Sequence, residues 1–140
     1  MNIYVKYLII SIILMFLDVA WILFNMTAYS NTIQKIQKSP MVVRNEHALL
    51  AYILILFSVI YVAIPFTTQN IKKGEDISIE NKLLKAFMYG GSVGFSIYGI
   101  YNFTSLAIYK DMDSSVGIMD TLWGTTLYTL TTFVFLLLPD

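Results

Sequence analysis

Four runs of apolar residues, each about as long as a bilayer is thick, set the terms on which this chain can fold. They lie near residues 7–26, 48–66, 86–109 and 117–138. A hydrocarbon core needs roughly 20 mostly apolar helical residues to cross it. Backbone polar groups inside lipid must pair within their own segment, and these runs lack the short alternation of barrel strands, so each is expected to be a helix. The sequence therefore predicts an all-α protein, an integral membrane bundle of four transmembrane helices. The first run follows Lys6 and precedes Ala28-Tyr29-Ser30, which loosely resembles a cleavage site. It is too long for the usual signal segment of about 7 to 15 apolar residues, and it contains an acid.

The polar stretches between the runs are short. Residues 31–48 hold Pro40 and mixed charge, residues 67–85 hold Gly74 and a charge cluster, and residues 110–115 form a tight link. Short links put sequence neighbours side by side and antiparallel. No stretch suffices for a water-soluble domain, so residues 1–140 are expected to form a single four-helix transmembrane domain, with both termini on one side. That side carries Lys6, Lys72, Lys73, Lys82 and Lys85, against Lys35, Lys38, Arg44 and Lys110 opposite. The surplus of one favours a cytoplasmic N-terminus.

Charge sorts the partners. Nine basic and nine acidic residues give a net charge of zero, which offers nucleic acid no electrostatic footprint, and only 13% of residues are charged against 57% hydrophobic. The partner implied is the lipid bilayer, with a homo-oligomer as a further possibility. No cysteine is present, which removes thiolate chemistry and Cys-based metal sites, and no cofactor is indicated. Glu46 and His47 are neighbours that face different ways on a helix, and a strong metal site wants three or more converging ligands, so no metal is expected.

The informative residues are the polar ones inside the apolar runs. At about 1.5 Å per residue, Asp18 lies roughly 18 Å beyond Lys6, past the bilayer middle. The third run travels the same way, and Asn102 sits about 12 Å before Lys110, at a similar depth. Asp120 opens the fourth run there; Glu46 and His47 open the second, with Arg44 beside them at the rim. Ser11, Asp18 and Asn25 share one face of the first helix, and Gly91, Tyr98, Asn102, Ser105 and Tyr109 one face of the third. On the fourth, Asp120, Trp123, Gly124, Leu127 and Thr131 form one stripe. The neighbouring Thr121, Thr125, Tyr128 and Thr132 say little, since threonine tolerates lipid by bonding its own backbone. Gly90-x-x-x-Gly94, with Gly124 on the fourth helix, would let backbones approach closely.

An ionised Asp at a helix centre costs roughly 2.5 to 3.5 kcal/mol on insertion scales. No lysine or arginine lies in the runs to offset it. The alternatives are a bound proton or cation, Arg44 or His47 folding in from the rim, or hydrogen bonds to Asn102, Tyr98, Tyr101 and Trp123. Trp21 and Trp123 each follow an acid by three residues, a spacing that favours a hydrogen bond to Asp18 or Asp120 over simple interfacial anchoring.

Leu17-Asp18-Val19-Ala20-Trp21, Tyr101-Asn102-Phe103-Thr104-Ser105-Leu106-Ala107 and Asp120-Thr121-Leu122-Trp123-Gly124-Thr125, in that order, resemble a family of small bacterial membrane proteins known as domain of unknown function two-one-seven-seven. The likeness spans nearly the whole chain. It implies a multi-pass membrane protein and no particular activity. The third helix departs from the family pattern, Tyr-Asp-x-Thr-Asn, with Asn102 in place of the acid and Ser105 in place of the amide, which implies a site of lower charge.

Three functional expectations follow. The polar cluster binds or moves a proton, cation or small ligand through Asp18 and Asp120. Alternatively it is a structural clasp of interhelical hydrogen bonds, each averaging only about 0.6 kcal/mol. Or it is a membrane-embedded enzyme site with Asp18 or Asp120 as acid or base and Trp21, Tyr98, Tyr101 and Trp123 as walls.

Overall fold

The computed structural model describes residues 1–140 and is entirely helical, without strands. Helix α1 (Ile3–Phe24) is capped by Asn2, whose side chain accepts from the Tyr4 amide at 2.8 Å. Asn25 breaks the helix at a single residue and sends the chain directly into α2 (Met26–Gln37). This second helix starts at the end of the first apolar run and continues into residues 31–48, where the sequence predicts only a link. It ends at Lys38 in the left-handed conformation (φ 59°), two residues before Pro40.

The next rod runs unbroken from Asn45 to Gln69 as α3 (Asn45–Ser58), a π-helical turn (Val59–Ala63) and α4 (Ile64–Gln69). The wider turn ends two residues before Pro65, whose missing N–H leaves a gap in the hydrogen-bond ladder. A third rod is built the same way from α5 (Ile79–Lys85), a π-helical turn (Ala86–Gly91) and α6 (Ser92–Ile108). After a short link, Asp113 caps α7 (Ser114–Leu137) by accepting from the Ser115 amide at 2.9 Å and the Ser115 hydroxyl at 2.7 Å. Those bonds, the side-chain one foremost, hold the exposed Asp113 carboxyl below the usual carboxylate range.

Helix α7 is the hub, packing on the third rod along its length and on α1. Glycine makes the first of these contacts possible. A Cβ on Gly94 would strike the Gly124 carbonyl and the Tyr128 ring, and one on Gly124 would strike the ring of Tyr98. Gly90 and Gly91 give the same clearance to Thr132 and Thr129. Of the α7 threonines that the sequence leaves open, Thr121 and Thr132 are buried and Thr125 is half-buried; Thr129 and Thr131 are buried as well.

The interior mixes polar with apolar side chains, and the surface is largely apolar. Ten polar or charged residues are buried, against eleven apolar ones, whereas Leu8, Phe16, Phe24, Leu54, Tyr61, Ile100 and many similar side chains are exposed. A soluble bundle reverses this arrangement, and an apolar surface of such extent requires lipid or another apolar partner. Two rods, Ile3–Phe24 and Asn45–Gln69, are long and apolar enough to cross a membrane, each with a mean hydropathy of 2.5. The sequence led us to expect four such helices. The other two rods are diluted by polar residues such as Ser92, Ser96 and Asn102 on α6 and the threonines of α7.

At one end of the bundle the buried Lys6 ammonium meets Asp140 at 2.9 Å and lies 5.4 Å from the Phe135 ring centroid. This ion pair ties the start of α1 to the end of the chain. The Lys6 hydrogen bond and its charge hold the exposed Asp140 carboxyl below its ordinary value.

Candidate polar site between the helices

The polar site forms at the other end, where α1, α2, α3, α6 and α7 each contribute a side chain. Along α1 the buried residues are Lys6, Ile10, Leu14 and Asp18, one every fourth position. That spacing turns the Asp18 carboxylate onto the same inward stripe as the core leucine a turn before it. Asp18 is 5% exposed. Its Oδ1 accepts the indole N–H of Trp123 at 2.9 Å, and its Oδ2 accepts the Tyr52 hydroxyl at 2.8 Å.

Asp120 is held in a matching way. Its Oδ1 accepts the Tyr29 hydroxyl at 2.6 Å, and its Oδ2 accepts the Asn102 amide at 2.7 Å. The same Asn102 nitrogen also donates to the Tyr98 carbonyl at 2.8 Å. Tyr29 in turn accepts the Trp21 indole N–H at 2.9 Å. Each tryptophan therefore serves the acid of the other helix, Trp123 directly and Trp21 through Tyr29. The two indoles stack face to face, with centroids 4.5 Å apart and planes 2° from parallel.

Neither acid has a cationic partner. The two ion pairs in the chain are Lys6–Asp140 and Lys38–Asp111, both outside the site. Arg44, Glu46 and His47 are exposed at the start of α3 and do not fold in, which leaves neutral N–H and O–H groups as the donors to both carboxylates. No three of the His, Asp and Glu side chains are grouped as metal ligands.

The two acids line one open cavity of about 770 Å³, bordered by α1, α2, the segment after α2, α6 and α7. Among its nineteen lining residues there is no lysine, arginine or histidine. Asp18, Asp120, Asn102, Tyr98, Tyr101 and Trp21 contribute to the wall, as do Tyr29, Thr32 and Ser105. Tyr101 is nevertheless 64% exposed, and Thr104 is exposed on α6 and lines none of the cavity. Trp123 faces the indole stack and a shallow groove on the outer side of α7. Gly90, Gly94 and Gly124 serve the packing of α7 on the third rod.

Two hydrogen-bonding residues were not foreseen from the sequence, Tyr29 and Tyr52. Tyr29 lies on α2, whose Met26, Tyr29, Ile33 and Ile36 recur at helical spacing; that amphipathic pattern was the available signal. Tyr52 is the only residue with a side-chain hydrogen-bonding group between Ala48 and Phe57.

No curated protein and no solved structure matches the chain. A family model described as predicted membrane protein (DUF2177) matches residues 3–137, nearly the full length and all five helices that form the site. The chain thus belongs to this family of predicted membrane proteins.

Proposed function

We propose that the protein crosses the membrane four times as a single domain, with α1, the Asn45–Gln69 rod, the third rod and α7 as the spans. Its cavity binds a proton or small ligand at Asp18 and Asp120. The lengths support the spans: α7 has 24 residues, about 36 Å of helix at 1.5 Å per residue. The Lys6–Asp140 pair supports termini on a common side, and the lysine surplus favours the cytoplasm for them.

The observation that carries the functional reading is the pairing of two carboxylates with a charge-free wall. Hydrogen bonds from neutral donors lower the cost of an ionised acid without cancelling its charge. A proton or a cationic ligand supplies what is missing. At about 770 Å³ the cavity falls within the range of small-molecule sites, roughly 300 to 1,000 Å³.

A second reading has its own support. The bonds from Tyr29, Tyr52, Asn102 and Trp123 join five helices, as a purely structural clasp would. Intrinsic fluorescence separates the two, because the only tryptophans are Trp21 and Trp123. In lipid nanodiscs their emission should change with pH in the wild type and not in the double variant Asp18→Asn, Asp120→Asn. An emission that ignores pH in both proteins favours the clasp.

A further inference from the structure

The donors that hold the two acids are spent, although the Tyr98, Tyr101 and Tyr109 hydroxyls on the cavity wall carry no protein partner. Every donor on the acids is already engaged: the Trp123 and Asn102 N–H groups and the Tyr29 and Tyr52 hydroxyls all point at carboxylate oxygens. Acceptors remain. Asn102 is 2% exposed, and its Oδ1 receives no donor from the protein while its nitrogen serves both Asp120 and the Tyr98 carbonyl. Thr32, one turn beyond Tyr29 on α2, is 3% exposed and lines the cavity, where its hydroxyl can donate or accept. These groups open onto the cavity, where a ligand can meet them; the one sealed side-chain atom without a partner is Thr132 Oγ1, elsewhere on α7. What fits beside two carboxylates and a free amide oxygen is a group that carries both positive charge and N–H donors.

The rest of the cavity is of the opposite character. Ile22, Met26, Ile33, Ile36, Met41 and Met112 form an apolar wall, and methionine adapts to varied shapes. We propose that the ligand is a protonated apolar amine. Its ammonium group donates to Asp120 and to the Asn102 Oδ1, with Asp18 as the second negative charge, and its hydrocarbon body lies along the methionine and isoleucine side. A metal ion would leave that apolar wall unused, and an anion would meet carboxylates without a compensating cation. This assignment rests on the cavity being a ligand site and adds the class of ligand.

Hexylammonium is a suitable probe, read by tryptophan emission of the full chain in nanodiscs at neutral pH. It should give a saturable change. Hexanol and hexanoate should not, and hexyltrimethylammonium, which has charge but no N–H, should bind more weakly. Asp120→Asn should weaken hexylammonium by about tenfold or more. Ile33→Phe, which narrows the apolar side without touching charge, should weaken hexylammonium more than methylammonium, and decides the matter should Asp120→Asn fail to fold. The proposal is overturned if hexanol binds as well as hexylammonium, if hexylammonium does not saturate, or if folded Asp120→Asn binds it like the wild type. A pH response that persists without amine binding refutes the amine and leaves the proton site. Loss of both refutes both.

Discussion

Trp123 donates its indole N–H to Asp18 across the α1–α7 interface, while Trp21, stacked on Trp123 at 4.5 Å, reaches Asp120 only through Tyr29. The two Asp-x-x-Trp segments thereby hold one another, and neither acid is served by the tryptophan of its own helix. Trp123→Phe keeps an aromatic ring against Trp21 but strands an oxygen of a buried carboxylate. A buried acceptor left unsatisfied costs about 1 to 3 kcal/mol, more for a charged group. Thermal unfolding in detergent should therefore show a lowered midpoint, partly restored when Asp18→Asn is added to Trp123→Phe.

Tyr29 is the only side chain of α2 that is hydrogen-bonded to α1 and α7. Tyr29→Phe removes both bonds in one step, and the expected loss is again about 1 to 3 kcal/mol. Its effect should be local as well as global. Amide exchange across residues 26–37 should accelerate more than exchange in α7, and equal acceleration throughout would contradict a role for Tyr29 in fastening α2.

The glycines at the α6–α7 contact predict a graded series. Gly94→Ala drives a Cβ into the Gly124 carbonyl and should cost about 1 to 3 kcal/mol. Gly99→Ala meets only the Thr121 Cγ2 at 3.6 Å, an ordinary contact, and should be neutral or stabilising by up to about 1 kcal/mol through helix propensity. Unfolding midpoints of the two variants, measured side by side, check the ordering.

The cap at Asp113 gives a pH dependence with a definite sign. Its carboxyl is held below the usual carboxylate value by the Ser115 side chain and then the Ser115 amide. A depressed folded value stabilises at pH above the unfolded one, and the contribution disappears as pH falls through the folded value. Asp113→Ala should lower the unfolding midpoint by a few degrees at neutral pH, and the gap from wild type should close in acid. A gap independent of pH would show that the carboxylate charge plays no part in the cap.

Some of this was legible in the sequence and some was not, for identifiable reasons. The all-α class follows from the apolar runs, because lipid forces backbone groups to pair locally. Asp18, Asn102 and Asp120 stood out because a polar group in such a run is costly, and rise per residue led to the expectation of a similar depth for them. The spacing pointed Trp123 to one of the acids, which it meets in Asp18, but not to which one, and it did not show that Trp21 donates to Tyr29 instead: spacing fixes which face of a helix a side chain takes, whereas the acceptor it meets depends on the rotation of the neighbouring helix. Tyr29 was missed for a related reason. Residues 26–37 are too polar to cross a membrane, and only packing of their Met26-Tyr29-Ile33-Ile36 face against α1 and α7 reveals α2 as part of the site. The π-helical turns before Pro65 and at Gly90-Gly91 widen a helix without any change in hydrophobic pattern.

The most direct probe of the site is infrared difference spectroscopy of the protein in nanodiscs, comparing acid with neutral pH and following the C=O stretch of protonated carboxyls. The account predicts an acid-induced component, beyond that of the other acidic side chains, that is missing from the Asp18→Asn, Asp120→Asn double variant and shifts or weakens when hexylammonium is added. A spectrum in which the double variant and the wild type are alike, with or without the amine, would contradict it.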